Sequence, residues 1–435
     1  MKKFFYLLPA LFIFCFSCKK DKKPDTGPDT SVGLHVVITG GNNQKDTVGN
    51  PLKDSVTVKV TNNGVPVSGY IVQFVRSGCQ DQTIIEKTTP ASGQATFEWY
   101  LSGQTGGQSL NVILLDNNRN KKDSVLASAT GIAGAHGWYR GGCLQNFPIG
   151  NVAALSSGRI MASSNLANYP YYSDDNAVSW VPLKTFPNNY VISKILATAS
   201  GVYIATQSDG LFFSSDNGQT WSTLSSTIPI NNFSDLAYTE SGRLIYACAT
   251  GVFVSTDNGQ SWTEEDYGLP TGSATYPCEQ LNGDLYIIGS DNQIYTMPNH
   301  TGTWVDIGSE SNYLLSSVQS LFIDDKGNMF MGTPHDAPDN TAYLYESIDK
   351  GNSWSNVFTQ TFQSNSFASI SNMSKVNSTY YFSFAGLGVY QTTNFSTYSN
   401  TTSQFGNLGL LTYTVSKNST FVLGSPGFGV FYKMP

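Results

Sequence analysis

A chain of 435 residues exceeds one ordinary domain, so at least two folding units are expected. Charged residues make up 13% and aromatics another 13%, with 41 glycines, a mixture that favours strands and tight turns over helices. A formal net charge of −7 without a basic patch argues against nucleic acid as a partner.

The chain opens with Lys2 and Lys3, the apolar run FFYLLPALFIFCF, and Ser17-Cys18. The run is too short to persist as a membrane span. A basic start, an apolar middle and a small residue before cysteine resemble a bacterial lipoprotein signal, with Cys15 standing where leucine is usual. The resemblance implies cleavage of residues 1–17 and lipidation of Cys18. It also implies membrane contact through that lipid in an exported, surface-exposed outer-membrane lipoprotein. An ordinary secretory signal is the alternative. Residues 18–32, including KKDKKPDTGPDTS, have no apolar periodicity and read as a solvated tether.

Residues 33–133 read as short alternating strands. In DSVTVKVTNNGVPVSGYIVQFV, Val56, Val58 and Val60 point one way and Thr57, Lys59 and Thr61 the other. Asn63-Gly64 and Pro66 mark a turn. This rhythm predicts a β-sandwich. The order GVPVSGYIVQF, SGQATFEW, LNVILLD resembles the bacterial immunoglobulin-like domains of invasin and intimin type. The resemblance implies a non-catalytic spacer or stalk.

From residue 135 to 435 a repeat takes over. Trp180, Trp221, Trp262, Trp304, Trp354 and then Tyr398 follow one another at spacings of 41, 41, 42, 50 and 44. A period near 40 with several short strands per unit predicts propeller blades. Each unit carries a version of Ser-x-Asp-x-Gly-x-Thr/Ser-Trp. The clean copies are Ser214-Asp216-Gly218-Thr220-Trp221, Ser255-Asp257-Gly259-Ser261-Trp262 and Ser347-Asp349-Gly351-Ser353-Trp354. Ser173-Asp175-Ala177-Ser179-Trp180 is weaker, and TMPNHTGTW (296–304) and QTTNFSTY (391–398) have decayed. The motif resembles the Asp-box, or BNR repeat, of sialidases and related propellers. It reads as architecture: the Asp caps a turn, the Gly takes positive φ, and the Trp buries its face. Six units and a three-strand remnant, closed by strand 136–141, predict an all-β chain ending in a seven-bladed propeller. Six and eight blades stand as alternatives.

Ligands of propellers usually meet the face away from such hairpins. The loops there repeat Asn or Ser beside an aromatic. Asn189-Tyr190, Asn232-Phe233, Asn312-Tyr313 and Phe367 form one candidate ligand face, joined by His335, Asp336 and Asp339 from the long loop 332–343. Amides beside aromatic rings suit a glycan or a protein segment; packing of the rings between blades is the plainer alternative. Asp336 and Asp339 with loop carbonyls offer a weak Ca²⁺ pattern, and no other cofactor is expected. Cys79, Cys143, Cys248 and Cys278 contain no CxxC, and the four histidines are scattered, so no zinc spacing is present. Cys248 and Cys278, in neighbouring repeats, leave a disulfide and free thiols both open.

The propeller region has only Arg140, Arg159 and Arg243 for a carboxylate-clamping triad of sialidase type, and they do not suit one. Paired carboxyls for glycoside hydrolysis are not recognisable either. The expected function is that of a monomeric surface lipoprotein binding a glycan or protein, with a glycan-active hydrolase or lyase and a membrane-associated assembly scaffold as alternatives.

Overall fold

The computed structural model describes residues 33–433 except 49, 77–83, 103–104, 133–137, 142–143, 145–146, 165–168, 188, 225–227, 230–231, 273, 308–317, 335–340, 362–369, 385–387, 404–411 and 428. Cys18, Cys79, Cys143, Asn312, Tyr313, His335, Asp336, Asp339 and Phe367 lie outside the described residues. Regular structure within them is all β apart from one 3-10 turn at Pro298–His300. No helix among the described residues is long and apolar enough to cross a membrane.

Two sheets enclose the first core. In one, Leu34–Gly40 pairs with Val56–Asn62, whose other edge takes Val65–Pro66 and Gln94–Phe97. The other runs Gln44–Thr47, Lys121–Ile132, Gly106–Leu115, Ile71–Arg76, Ile84–Thr88, with its first pairing parallel. Val56, Val58 and Val60 are fully buried against Val72, Phe74, Leu110, Val112 and Leu114, as the alternation demands. Thr61 departs from the expected pattern and is buried. It sits where the strand exchanges its Gln94–Phe97 partner for Val65–Pro66. The twelve-residue strand Lys121–Ile132 continues the module past LNVILLD.

Among the described residues seven four-stranded antiparallel sheets follow, and we number them in chain order by their innermost strands. These strands are Ile149–Ala154, Ile192–Ala197, Phe233–Tyr238, Thr275–Glu279, Ser320–Ile323, Ile370–Val376 and Thr412–Val415. Each touches the next, and the first touches the last. The outermost strand of sheet 7 is Trp138–Arg140, which pairs antiparallel with Gly429–Lys433. The second strands are mostly apolar and buried, as are the third strands of sheets 2, 3 and 4, because both of their faces meet neighbouring sheets, while the third strands of sheets 5 and 6 are only partly buried. The arrangement is that of a β-propeller. Cys248 and Cys278 are free thiols.

The repeated motif forms the hairpin between third and fourth strands. Ser214 Oγ accepts from Gly218 N at 2.8 Å and donates to Asp216 at 2.7 Å. Asp216 accepts from the Thr220 hydroxyl at 2.6 Å and the Thr220 amide at 2.9 Å, which hold its carboxyl down at about 2. Trp221 Nε1 donates to Gly218 O at 3.2 Å. The copy at Ser255 repeats this geometry, and the copy at Ser347 repeats its Ser and Asp bonds. The copy at Ser173 does so with Ala177 in the left-handed region at φ 68°. In sheet 6 Asn394 substitutes for the Asp and accepts from Ser396 N and Thr397 N. In sheet 4 the hairpin is rebuilt as the 3-10 turn, and Asn299 N donates to Asp284 at 2.9 Å.

In the Ser-x-Asp copies these bonds lie within eight residues of chain, so those hairpins are specified locally, whereas the sheet 4 turn draws on Asp284, 15 residues away. Ser214 is buried, and Ser214→Ala orphans the Gly218 amide. The expected loss is about 1–2 kcal/mol, read as a lower urea midpoint at unchanged slope.

Candidate ligand-binding site

The face opposite the hairpins is shaped by bulges. In sheets 1, 2, 3, 4 and 6 the register between first and second strands shifts near the start of the inner strand. A bulge re-aims the side chains beside it. Lys194 and Asp235 follow the bulges of sheets 2 and 3. Lys194 Nζ ion-pairs with the Asp235 carboxylate, which also accepts from Leu236 N and Tyr276 N, both at 2.8 Å. One carboxylate thus ties three sheets together. Tyr276 sits at φ 54°, where a bulky side chain is strained by about 1–2 kcal/mol; the bond to Asp235 holds it there.

Inward of this girdle is a cavity of about 310 Å³ lined by the inner strands of sheets 2 to 6. Lys194, Asp235 and Tyr276 contribute to its wall near that face, and Thr239, Glu240, Glu279 and Asp324 carry the wall through to the hairpin side. Burial, and then the Asp235 charge, push the Tyr276 phenol up to about 12. Burial likewise pushes the Cys278 thiol up. Both remain protonated near neutrality, so they act as hydrogen-bonding groups rather than as nucleophiles. Among the described residues no group of three or more His, Cys, Asp or Glu is arranged to hold a metal. The wall suits binding through hydrogen bonds and one compensated ion pair.

The Lys194–Asp235 pair is open to a direct check. Lys194 is 33% exposed and Asp235 12%, so screening limits the pair. A Lys194→Met/Asp235→Asn double-mutant cycle should return a coupling of about 1 kcal/mol. Asp235→Asn alone should also loosen Tyr276, seen as faster amide exchange there.

The sequence-predicted face is brought together only in part. Asn189 and Asn232 are exposed, each in the left-handed region at φ 68° and 59°. Their aromatic neighbours turn inward. Tyr190 packs on Phe186 and Phe212, with ring centroids at 6.2 and 5.4 Å, and Phe233 lies 5.5 Å from the Tyr246 ring. The dipeptides do not occupy one repeated position. Phe233 opens its inner strand just as Ile192 opens the preceding one, two residues past Tyr190. The loop 332–343 is shorter than its composition implied, because Thr333 pairs with Tyr343 and Pro334 with Ala342. Lys194 and Tyr276 were not singled out, although each stands 41 residues from Asp235.

On the hairpin side a second charged group forms around Glu279, whose side chain is 3% exposed. Ser241 donates to it through N at 3.1 Å and Oγ at 2.7 Å; Arg243 Nη1 and His300 Nε2 stand 3.9 and 3.5 Å away. Burial, then the Arg243 charge, lower the His300 pKa, against the pull of Glu279 and Asp284. A histidine held below its unfolded value of about 6.5 contributes stability that is complete above that pH. The contribution is lost as pH falls through the folded value. His300→Gln should therefore flatten the acid limb of a stability–pH curve.

With this geometry the molecule is a β-propeller built from four-stranded sheets around a lined central cavity. Residues 155–376 match the family model of the DUF6242 beta propeller domain, and the chain belongs to that family. No curated protein matches the chain in sequence. Among solved structures, YCF48 from Cyanidioschyzon merolae is similar over 69% of this chain and 99% of its own, at 12% identity and a TM-score of 0.52. The extracellular domain of a putative hybrid two-component system from B. thetaiotaomicron is similar at 12% identity and a TM-score of 0.51. That match covers 66% of this chain but only 40% of the other. Virginiamycin B lyase from Staphylococcus aureus is similar at 10% identity over 68% of this chain and 98% of its own, with a TM-score of 0.50. At these identities the likeness is one of fold.

Proposed function

We propose that the protein is an exported, lipid-anchored binding protein whose propeller presents a glycan- or protein-binding face. In this reading Cys18 carries the lipid, residues 18–32 are the tether, and residues 33–133 are an immunoglobulin-like spacer. The seven sheets are seven blades, with clean Asp-box hairpins at Ser214, Ser255 and Ser347 and the last blade closed by Trp138–Arg140. The observation that carries the binding reading is the contrast between the two faces. On the hairpin face the polar groups of the motifs are consumed by their own turns. On the opposite face Asn189 and Asn232 are exposed in the segments that lead into inner strands whose residues Lys194 and Asp235 line the cavity. The similarity to an extracellular domain from B. thetaiotaomicron is compatible with export.

Two experiments test this. Radiolabelled palmitate should enter the wild-type chain and not Cys18→Ala; equal labelling of both would remove the anchor from the account. A panel of immobilised polysaccharides and extracellular proteins should yield a ligand whose binding falls in Asn189→Ala/Asn232→Ala. Unchanged binding in that variant would place the ligand elsewhere.

A further inference from the structure

Sheet 5 differs from its neighbours. Its outermost strand, Ser355–Thr361, has seven residues, whereas the corresponding strands of the other sheets have two or three. The third strand, Thr341–Ser347, is extended to match. The added length reaches toward the face opposite the hairpins, since Thr341 pairs with Thr361 and Tyr343 with Thr359. A bulge at Val357, opposite the step from Leu344 to Tyr345, turns this extension relative to the rest of the sheet.

The two faces of the extension have different fates. Ala342, Leu344 and Phe358 are buried in the seam with sheet 6, where the Phe358 ring lies 4.7 Å from Tyr398 and 5.1 Å from Phe382. The other face carries Tyr343 and Tyr345, both half-buried, with centroids 6.0 Å apart and planes 32° from parallel; Tyr345 packs on the core around Met331 and Trp354. Directly opposite them stand Thr359 and Asn356, both exposed and linked Oγ1 to Oδ1 at 3.1 Å. Residues opposite one another across a strand pair share a face. No charged residue occurs in 341–345 or 356–361.

We propose that this face of sheet 5 is a binding platform for a neutral oligosaccharide, with the Tyr343 ring as its stacking surface and Thr359 and Asn356 as its hydrogen-bonding edge. The inference rests on the binding function proposed above and gives it a place and a ligand class. A sugar ring offers a flat C–H face to an aromatic ring and hydroxyls to amides and alcohols around it. A neutral, hydroxyl- and amide-bearing surface matches a neutral polyol in charge, and strand-borne groups are held more rigidly than loop-borne ones.

The test is binding of the full chain to immobilised neutral polysaccharides (laminarin, mannan, galactan, xyloglucan), with five variants. Tyr343→Ala should weaken the bound polysaccharide about tenfold or more. Tyr343→Phe, which keeps the ring, should restore most of the affinity. Thr359→Arg should block the platform from an exposed position even if Tyr343→Ala folds poorly. Gln219→Ala, exposed in a hairpin on the other face, should have little effect. Binding lost in Asn232→Ala but retained in Tyr343→Ala and Thr359→Arg would overturn the platform and leave the wider reading standing. A wild-type chain that binds no neutral polysaccharide but captures a protein would overturn the platform in favour of a protein ligand. One that binds neither would overturn both.

Discussion

Trp180→Ala is expected to destabilise the propeller by about 3–5 kcal/mol, the cost of a large aromatic removed from a closed site together with the cavity it leaves. Trp180 is fully buried among Ile160, Tyr171, Val430 and Tyr432, where sheets 1 and 7 meet. Its Nε1 donates to Ala177 O at 3.1 Å. The packing is so close that a Cβ on Gly141, beside the closing strand, would stand 2.8 Å from that nitrogen. Trp221, at the same place in the next sheet, is only half-buried and rests on Phe186 at 5.0 Å. Trp221→Ala should cost less than Trp180→Ala. Urea denaturation of both variants decides the matter, and equal losses would mean that the first and last sheets do not depend on Trp180 for their junction.

Asp324→Ala is expected to cost about 3–5 kcal/mol, the range for breaking a buried charged network by removing one partner. The Asp324 side chain is wholly buried. It accepts from Tyr380 OH at 2.6 Å, Asn328 N at 2.8 Å and Lys326 N at 2.9 Å, and Lys375 Nζ stands at 3.3 Å. Deleting it orphans a buried phenol and two turn amides that join sheets 5 and 6. Asp325 also contacts Lys375 but is 64% exposed, so Asp325→Ala should cost no more than about 1 kcal/mol. A loss for Asp325→Ala as large as that for Asp324→Ala would refute this division of roles. Asp324→Asn should fall between them, because an amide oxygen still accepts from the turn.

The sequence was most legible where structure is made by neighbours in the chain. The short apolar strands of each unit, such as Val202–Thr206 and Leu211–Ser214, are local, and the Ser214–Trp221 hairpin follows from bonds inside its own motif. Features fixed by contacts between sheets were not legible. The bulges that aim Lys194 and Asp235 depend on pairing register, which composition does not report. Tyr190 and Phe233 looked like repeats of one loop feature, yet each is claimed by a different packing site. Thr333 and Pro334 read as loop because Pro and Asp crowd the segment after them, although their partners on the next strand extend the sheet. The tie of Asp324 to Tyr380 crosses 56 residues, so nothing local in the chain marks it.

The central claim is that ligand meets the face opposite the motif hairpins. Site-specific photo-cross-linking on intact cells tests it most directly, with the cross-linker placed at Asn232 on one face and at Gln219, exposed in a hairpin, on the other. The account predicts a discrete adduct from position 232 and none from position 219. An adduct from position 219 alone would contradict it and assign recognition to the hairpin face.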